Sequence, residues 1–166
     1  MKTLLVLRHA KSSWDDRSLS DHDRPLNPRG HRDAPRMGEL LDDEGIWPDL
    51  ILSSTANRAA TTAQLLTGGQ SFTGEIRYLS ELYLAGPDDY IDTIRRLAGD
   101  ADSVMVVGHN PGLELIVQMM TGAWERMPTA ALARIEIPID DWRDLEAGGG
   151  ELAGIWRPKE LDQASG

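Results

Sequence analysis

Short apolar runs alternate along the chain with segments whose apolar positions recur every three to four residues. Thr3–Leu7 is a short continuous apolar run, the pattern of a strand covered on both faces, Leu50–Leu52 and Val104–Val107 are similar, and Ile76–Leu79 is read with them although Arg77 interrupts it. Between them, Thr55–Leu66 sets Ala56, Ala59, Ala60 and Ala63 on one stripe, and Asp88–Leu97 does the same with Ile91, Ile94 and Leu97. Leu113–Met120 is apolar on most sides, as a well-buried helix would be. Strand and helix repeated in this way predict βαβ units, a parallel sheet and helices on both faces. The end of the chain reads differently. Leu132–Ile137 and Glu151–Trp156 each alternate, with Gly148-Gly149-Gly150 between them, which predicts an antiparallel pair at the sheet edge. The expected architecture is a three-layer α/β/α sandwich, mostly parallel with an antiparallel edge. A single domain is expected over residues 1–158, with residues 159–166 as a frayed tail.

The chain's 166 residues suit one domain with one sizeable core. With 27 acids against 17 bases, the net charge of −10 disfavours nucleic acid and anionic membrane as partners. Cysteine is absent, which removes disulfides, thiolate metal sites and cysteine nucleophiles. The apolar run at the start stops at Arg8, too short for a signal-peptide core, so a cytoplasmic location is expected. The first 40 residues depart from the overall charge, with eight bases against six acids. Asp21-His22-Asp23 has the look of a metal cluster, but a lone histidine flanked by acids on a polar loop reads better as solvated, and no metal is expected.

Ligands of open parallel sheets bind beyond the carboxyl ends of the strands. The first strand ends in Arg8-His9. The second ends in Ser53-Ser54, with Arg58 one helical turn on. The third ends in Ser80-Glu81 and the fourth in Gly108-His109. Two arginines, two of the four histidines and a glutamate are thus delivered to one edge. Ser54 or Thr55 is expected to cap the following helix, placing Arg58 against the helix dipole unless an anion is bound nearby. Asn110-Pro111 reads as a cap and first residue of the next helix, whose free N–H groups would add to an anion site. Trp14 is expected to pack against the domain rather than to cover the cleft.

These residues fall into motifs. Leu7-Arg8-His9-Ala10, Pro25-Leu26-Asn27-Pro28-Arg29-Gly30, Ser53-Ser54-Thr55-Ala56-Asn57-Arg58-Ala59-Ala60-Thr61-Thr62-Ala63 and Val107-Gly108-His109-Asn110 resemble, in order, the four signature segments of the histidine phosphatase superfamily, also called phosphoglycerate mutase-like. The chain looks most like its short SixA-type phosphohistidine phosphatases. Larger members insert helices between the third strand and the second histidine, whereas here Glu81 and His109 are 28 positions apart. The resemblance therefore implies the superfamily fold without a cap subdomain, and an open pocket. It implies a phosphatase without metal or cofactor, in which His9 carries the phosphoryl group and Arg8, Arg58 and His109 bind its oxygens. Glu81 falls where many members place the leaving-group acid. The substrate it implies is phosphohistidine on a protein. A small phosphate ester, or a non-catalytic module that reads phosphoproteins, are the alternatives, and a monomer is expected. Three positions depart from the pattern: Ala10 replaces a glycine, Asp15 an asparagine, and Asn27 a threonine.

Overall fold

A computed structural model describes residues 1–69 and 71–164, without the side chains of residues 163 and 164. In chain order the elements are β1 (Lys2–Arg8), α1 (Pro28–Glu44), β2 (Leu50–Ser54), α2 (Asn57–Thr67), β3 (Glu75–Leu79), α3 (Pro87–Leu97), β4 (Ser103–Gly108), α4 (Gly112–Thr121), β5 (Leu132–Ile137), β6 (Glu151–Trp156) and α5 (Pro158–Ala164). Short 3-10 turns occupy Asp21–Asp23, Ser80–Leu82 and Trp142–Asp144. The six strands form one sheet in the order β3-β2-β4-β1-β5-β6. The first four are mutually parallel, and β5 runs antiparallel to both β1 and β6.

Alternation along the central strands divides the interior into two cores. Leu4 and Val6 of β1 and Val104 and Val106 of β4 face α3 and α4, where they meet Ile94, Leu113 and Ile116. Leu5, Leu7, Met105 and Val107 face α1 and α2, against Met37, Leu41, Ala59 and Ala63. Both faces are covered, so Leu4–Leu7 and Val104–Val107 are apolar at every position, which is why they read as continuous runs. The third run is different: β3 is an edge strand with three of its five residues exposed, including Glu75 and Arg77, which pair at 2.9 Å.

Asn27 caps α1, accepting from the Gly30 N–H at 2.9 Å, with Pro28 at the first helical position. Gly30 is required by contact. A Cβ there would stand 2.2 Å from the Lys11 carbonyl oxygen, so only glycine lets α1 press against the loop that follows β1. At the end of the chain the structure departs from the sequence reading. Residues 158–164 form α5 rather than fraying from Lys159; Leu161 packs on the α1/α2 core and Arg36 pairs with Asp162 at 2.6 Å. Residues 165 and 166 lie outside the described residues. Among the described residues no helix is long and apolar enough to cross a membrane.

Gly108 closes β4 beneath the Tyr90 hydroxyl, where a Cβ would lie 2.0 Å from the phenolic oxygen. That oxygen accepts from the His109 N–H at 3.2 Å. Overpacking of this kind costs about 1–3 kcal/mol. Gly108→Ala should therefore lower Tm by roughly 2–12 °C. Adding Tyr90→Phe removes the colliding oxygen, so the double variant should melt above the sum of the two single losses in a scanning-calorimetry cycle. Additive losses would show that the contact is not the cause.

Candidate functional site

The carboxyl ends of β1, β2 and β4 converge on a cleft of about 210 Å³, lined by Arg8, His9, Lys11, Ser12, Trp14, Arg24, Arg58, Leu84, His109, Asn110 and Thr129. Four permanent cations and two imidazoles face it. Among the described residues, no carboxylate does.

His9 follows β1, and its N–H donates to the Gly108 carbonyl at 3.1 Å, continuing the β1–β4 pairing beyond the strand. Its ring Nδ1 lies 2.8 Å from the Ala10 carbonyl oxygen. A carbonyl can only accept, so Nδ1 carries the proton and Nε2 keeps its lone pair. The ring is 6% exposed. Burial brings its pKa down to about 3; the Ala10 carbonyl opposes this, and His109, Arg58 and Arg8 reinforce it. The result is a neutral imidazole at neutral pH with an unprotonated Nε2, the state in which histidine is a nucleophile. Ala10 is fixed from its other side as well. Its N–H donates to Thr62 Oγ1 at 2.9 Å, and that hydroxyl donates to the Arg58 carbonyl at 2.6 Å. Thr62 therefore ties α2 to the backbone after His9.

His109 stands beside His9, ring centroids 5.1 Å apart, and is 2% exposed. Its Nε2 is 2.8 Å from Ser54 Oγ, while its Nδ1 is buried with no partner. Burial brings its pKa down to about 4; Arg58 and Arg8 act in the same direction and Asp21 opposes. Arg8 donates through Nη1 to the Met127 carbonyl at 3.1 Å, and its Nε has no partner. Burial lowers the Arg8 pKa, with Arg58 adding to the effect and Glu114 opposing it.

Arg58 is the second residue of α2 and 4% exposed. It meets the helix dipole in the unfavourable sense, as its position in the sequence implied. The compensating partner is Asp21. Arg58 Nη2 lies 3.0 Å from Asp21 Oδ2, and Nη1 donates to the Asp21 carbonyl at 2.7 Å. Asp21 also accepts from Tyr83 Oη at 2.5 Å and from Arg24 Nη1 at 2.9 Å. The Tyr83 hydrogen bond, with Arg24 and Arg58 behind it, holds the Asp21 carboxyl well below the usual carboxylate range despite some desolvation. Asp21 is thus an anchor for two cleft arginines, where the sequence reading made it a solvated acid. His22 Nε2 lies 2.9 Å from Thr55 Oγ1.

Arg24 is buried and binds the loop to itself, donating to Ser12 Oγ, to the Ser13 carbonyl at 3.1 Å and to Asp21. Trp14 lies over its guanidinium, with Cζ 3.3 Å from the ring centroid. Trp14 is 68% exposed and lines the cleft, so it is a rim residue rather than the packing residue expected.

Three further expectations change. Glu81 does not reach the cleft: its carboxylate pairs with Arg96 Nη2 at 2.7 Å. The 3-10 turn Ser80–Leu82 buries Leu82 and leaves Glu81 on the surface toward α3. Ser54 and Thr55 do not cap α2. Ala56 is its cap residue, and Ser54 Oγ, which accepts from the Ala56 N–H at 3.1 Å, is held against His109. Asn110 does not cap α4, which begins at Gly112; its amide donates to the Met127 carbonyl at 2.8 Å. The structure brings His9, Arg8, Arg58 and His109 to one cleft, the edge to which the strand ends direct them. The sequence reading missed Asp21, Arg24, Tyr83, Ser54 and Thr62, of which Ser54 and Thr62 lie inside a quoted motif.

Comparison with known proteins agrees with this geometry. Residues 4–82 match the family model of the histidine phosphatase superfamily (branch 1). A protein of Mycobacterium tuberculosis is 33% identical over 164 residues, covering 92% of this chain and all of the relative. A crystal structure assigned as the phosphohistidine phosphatase SixA of Agrobacterium tumefaciens is 31% identical, with a TM-score of 0.81 over 95% of this chain and 98% of that one. The chain belongs to the histidine phosphatase superfamily. The protein histidine phosphatase SixA complexed with tungstate shares its fold at a TM-score of 0.82, with 20% identity over 96% of this chain and 99% of that one. The SixA-like build is that of a superfamily member whose β3-to-β4 connection holds only a 3-10 turn and α3.

Both cleft histidines have folded-state pKa values below the ordinary 6.5. The unfolded chain therefore binds more protons between pH 6.5 and about 3 to 4, and their stabilising contribution is complete above pH 6.5 and lost as pH falls. Lowering pH from 7 to 4.5 should cost about 2 kcal/mol through His9 alone. Chemical denaturation across that range should show the fall, with a flatter profile in His9→Asn, and NMR should find both rings still neutral at pH 6. Titration of either ring near pH 6.5 would contradict the assignment.

Proposed function

We propose that this chain is a phosphatase that works through a covalent phosphohistidine on His9 and removes the phosphoryl group from phosphohistidine on a protein. The observation that carries the reading is the lining of the cleft: cations, two neutral imidazoles and, among the described residues, no carboxylate. Its membership of the histidine phosphatase superfamily and its likeness to SixA structures support the same reading.

Phosphoryl transfer needs positioned positive charge more than it needs covalent machinery. Arg8 Nε and His109 Nδ1, both buried and without partners, would donate to equatorial oxygens alongside Arg58. For His109 this requires the tautomer in which Ser54 donates to Nε2 and Nδ1 carries the proton, consistent with the 2.8 Å contact. His9 Nε2 attacks phosphorus, and the bond from phosphorus to the substrate imidazole breaks. The departing imidazole takes the electron pair and collects a proton from water. Water then attacks phosphorus, the bond to His9 breaks, and inorganic phosphate leaves. The substrate's leaving group is itself an imidazole, so neither direction of transfer demands a strong acid. An alkoxide leaving group would demand one, and Glu81 is held on Arg96, outside the cleft. The open cleft suits a side chain presented on a protein surface better than a small metabolite, which it would enclose poorly.

Phosphate release should be followed from a phosphohistidine phosphotransfer protein and from a small alkyl phosphate, both in EDTA. Wild type should act on the protein and at least about 100-fold more slowly on the ester, the size of a missing acid–base contribution. His9→Ala should abolish both, and Glu81→Gln should leave the protein reaction within 2-fold, about the scatter of a surface substitution. Fast ester hydrolysis lost in Glu81→Gln would favour the small-molecule phosphomonoesterase. Binding of the phosphoprotein without turnover would favour a reader module.

A further inference from the structure

The cleft does not end at Thr129. The same residue lines a second, larger pocket of about 540 Å³, walled by the segment 124–129 on one side and by Arg29 and the start of α5 on the other. The two are joined mechanically as well: the Met127 carbonyl, in the middle of that wall, is held by Arg8 and Asn110 of the cleft. Arg29 reaches across to Thr129 Oγ1 at 3.5 Å.

Charge is distributed unevenly on this face. Eight of the chain's 17 bases line the two pockets, against two of its 27 acids. Both acids, Glu125 and Glu160, are held by Arg157, at 2.7 and 3.0 Å. Arg126 and Lys159 are exposed and make no ion pair among the described residues. Beside them Trp124 is 70% exposed, an apolar surface in a groove that Pro128 and Pro158 also line. A chain of net charge −10 that concentrates its cations along one groove has a field complementary to an acidic partner, and such fields raise encounter rate and fix register.

We propose that this groove binds the acidic segment that flanks the phosphohistidine of the substrate protein, with carboxylates against Arg126 and Lys159 and an apolar side chain on Trp124. The proposal rests on the phosphohistidine reading and adds to it the partner's chemistry.

Three substrates separate the possibilities: a phosphohistidine peptide flanked by aspartates, the same peptide flanked by asparagines, and free phosphohistidine. At low salt, wild type should favour the aspartate peptide over the asparagine peptide by about 10-fold in kcat/KM, with the preference shrinking as ionic strength rises. Arg126→Glu and Lys159→Glu should each lower kcat/KM on the aspartate peptide about 5-fold, through KM, while free phosphohistidine is hydrolysed at the wild-type rate. Arg143→Glu makes the same change in net charge beside Lys2, at the amino-terminal end of β1, and should alter nothing. Turnover of phosphohistidine substrates without an aspartate preference would overturn the groove alone, as would equal losses in all three variants. Equal losses on free phosphohistidine would assign the groove to a small anion and overturn the proposal. No turnover of any of the three by wild type would instead remove the phosphohistidine reading on which the groove depends.

Discussion

Everything at the cleft depends on the parallel pairing of β1 with β4. Their register sets Arg8 beside Gly108, and the His9 N–H continues the ladder onto the Gly108 carbonyl. One residue further along each chain, two imidazoles meet at a ring separation of 5.1 Å. A slip of one residue would reverse the faces of Leu4 to Leu7 between the two cores, so the apolar alternation that builds the sheet also holds the two histidines in place. Gly108 then lets Tyr90 approach from below and tether His109 by its backbone. The site is therefore not an addition to the fold; its geometry follows from the same register that buries the core.

Holding Arg8, Arg58 and two buried imidazoles together without a ligand is electrostatically unfavourable, and the structure shows how the cost is met. Burial keeps both histidines neutral, which removes two of the four charges. Asp21, which does not line the cleft, compensates Arg58, and among the described residues no carboxylate lines the cleft itself. The Met127 carbonyl takes one donor of Arg8. Among its arginines and imidazoles, one donor on Arg8 and one nitrogen on His109 remain unmet, both oriented by backbone and side-chain contacts on their other atoms. Donors fixed before a ligand arrives require little reorganisation when negative charge enters, which is how preorganised sites gain over water.

The strand ends were legible because each element announces itself by a local pattern and the rule for open parallel sheets says where ligands go. Arg8, His9, Arg58 and His109 follow from that alone. The supporting contacts were not legible because they join residues far apart in sequence without any period: Tyr83 to Asp21 spans 62 positions, His109 to Ser54 spans 55, and Ala10 to Thr62 spans 52. Thr62 could have been found, since its place in a quoted motif and its helical spacing from Arg58 imply a buried hydroxyl facing the cleft side of α2. Glu81 failed for a different reason. Its distance along the chain from β3 is right, but the turn that buries Leu82 sets the direction of its neighbour, and a surface arginine on α3 then takes the carboxylate. Ser54 failed as a cap because a hydroxyl facing both a helix end and a buried imidazole is held against the imidazole, where an unpaired partner would cost more.

The loop from Lys11 to Leu26 shows how a polar segment with no regular structure beyond one 3-10 turn and one bridge becomes a defined wall. Its ends are joined by the Ser12–Leu26 bridge and by the Asn27 N–H to the Lys11 carbonyl at 2.9 Å. Its middle is threaded by the buried Arg24, whose guanidinium satisfies Ser12, Ser13 and Asp21 at once and carries Trp14 on its face. A guanidinium is suited to this because its planar fork can donate in several directions while stacking on an aromatic ring, which an ammonium cannot do. The same Asp21 that accepts from Arg24 accepts from Arg58, so the loop and α2 share one carboxylate. Displacing the loop would disturb Arg58, and displacing Arg58 would loosen the loop. The cleft's basic character and its rim are therefore one coupled unit, in which the buried Arg24 carries the exposed Trp14.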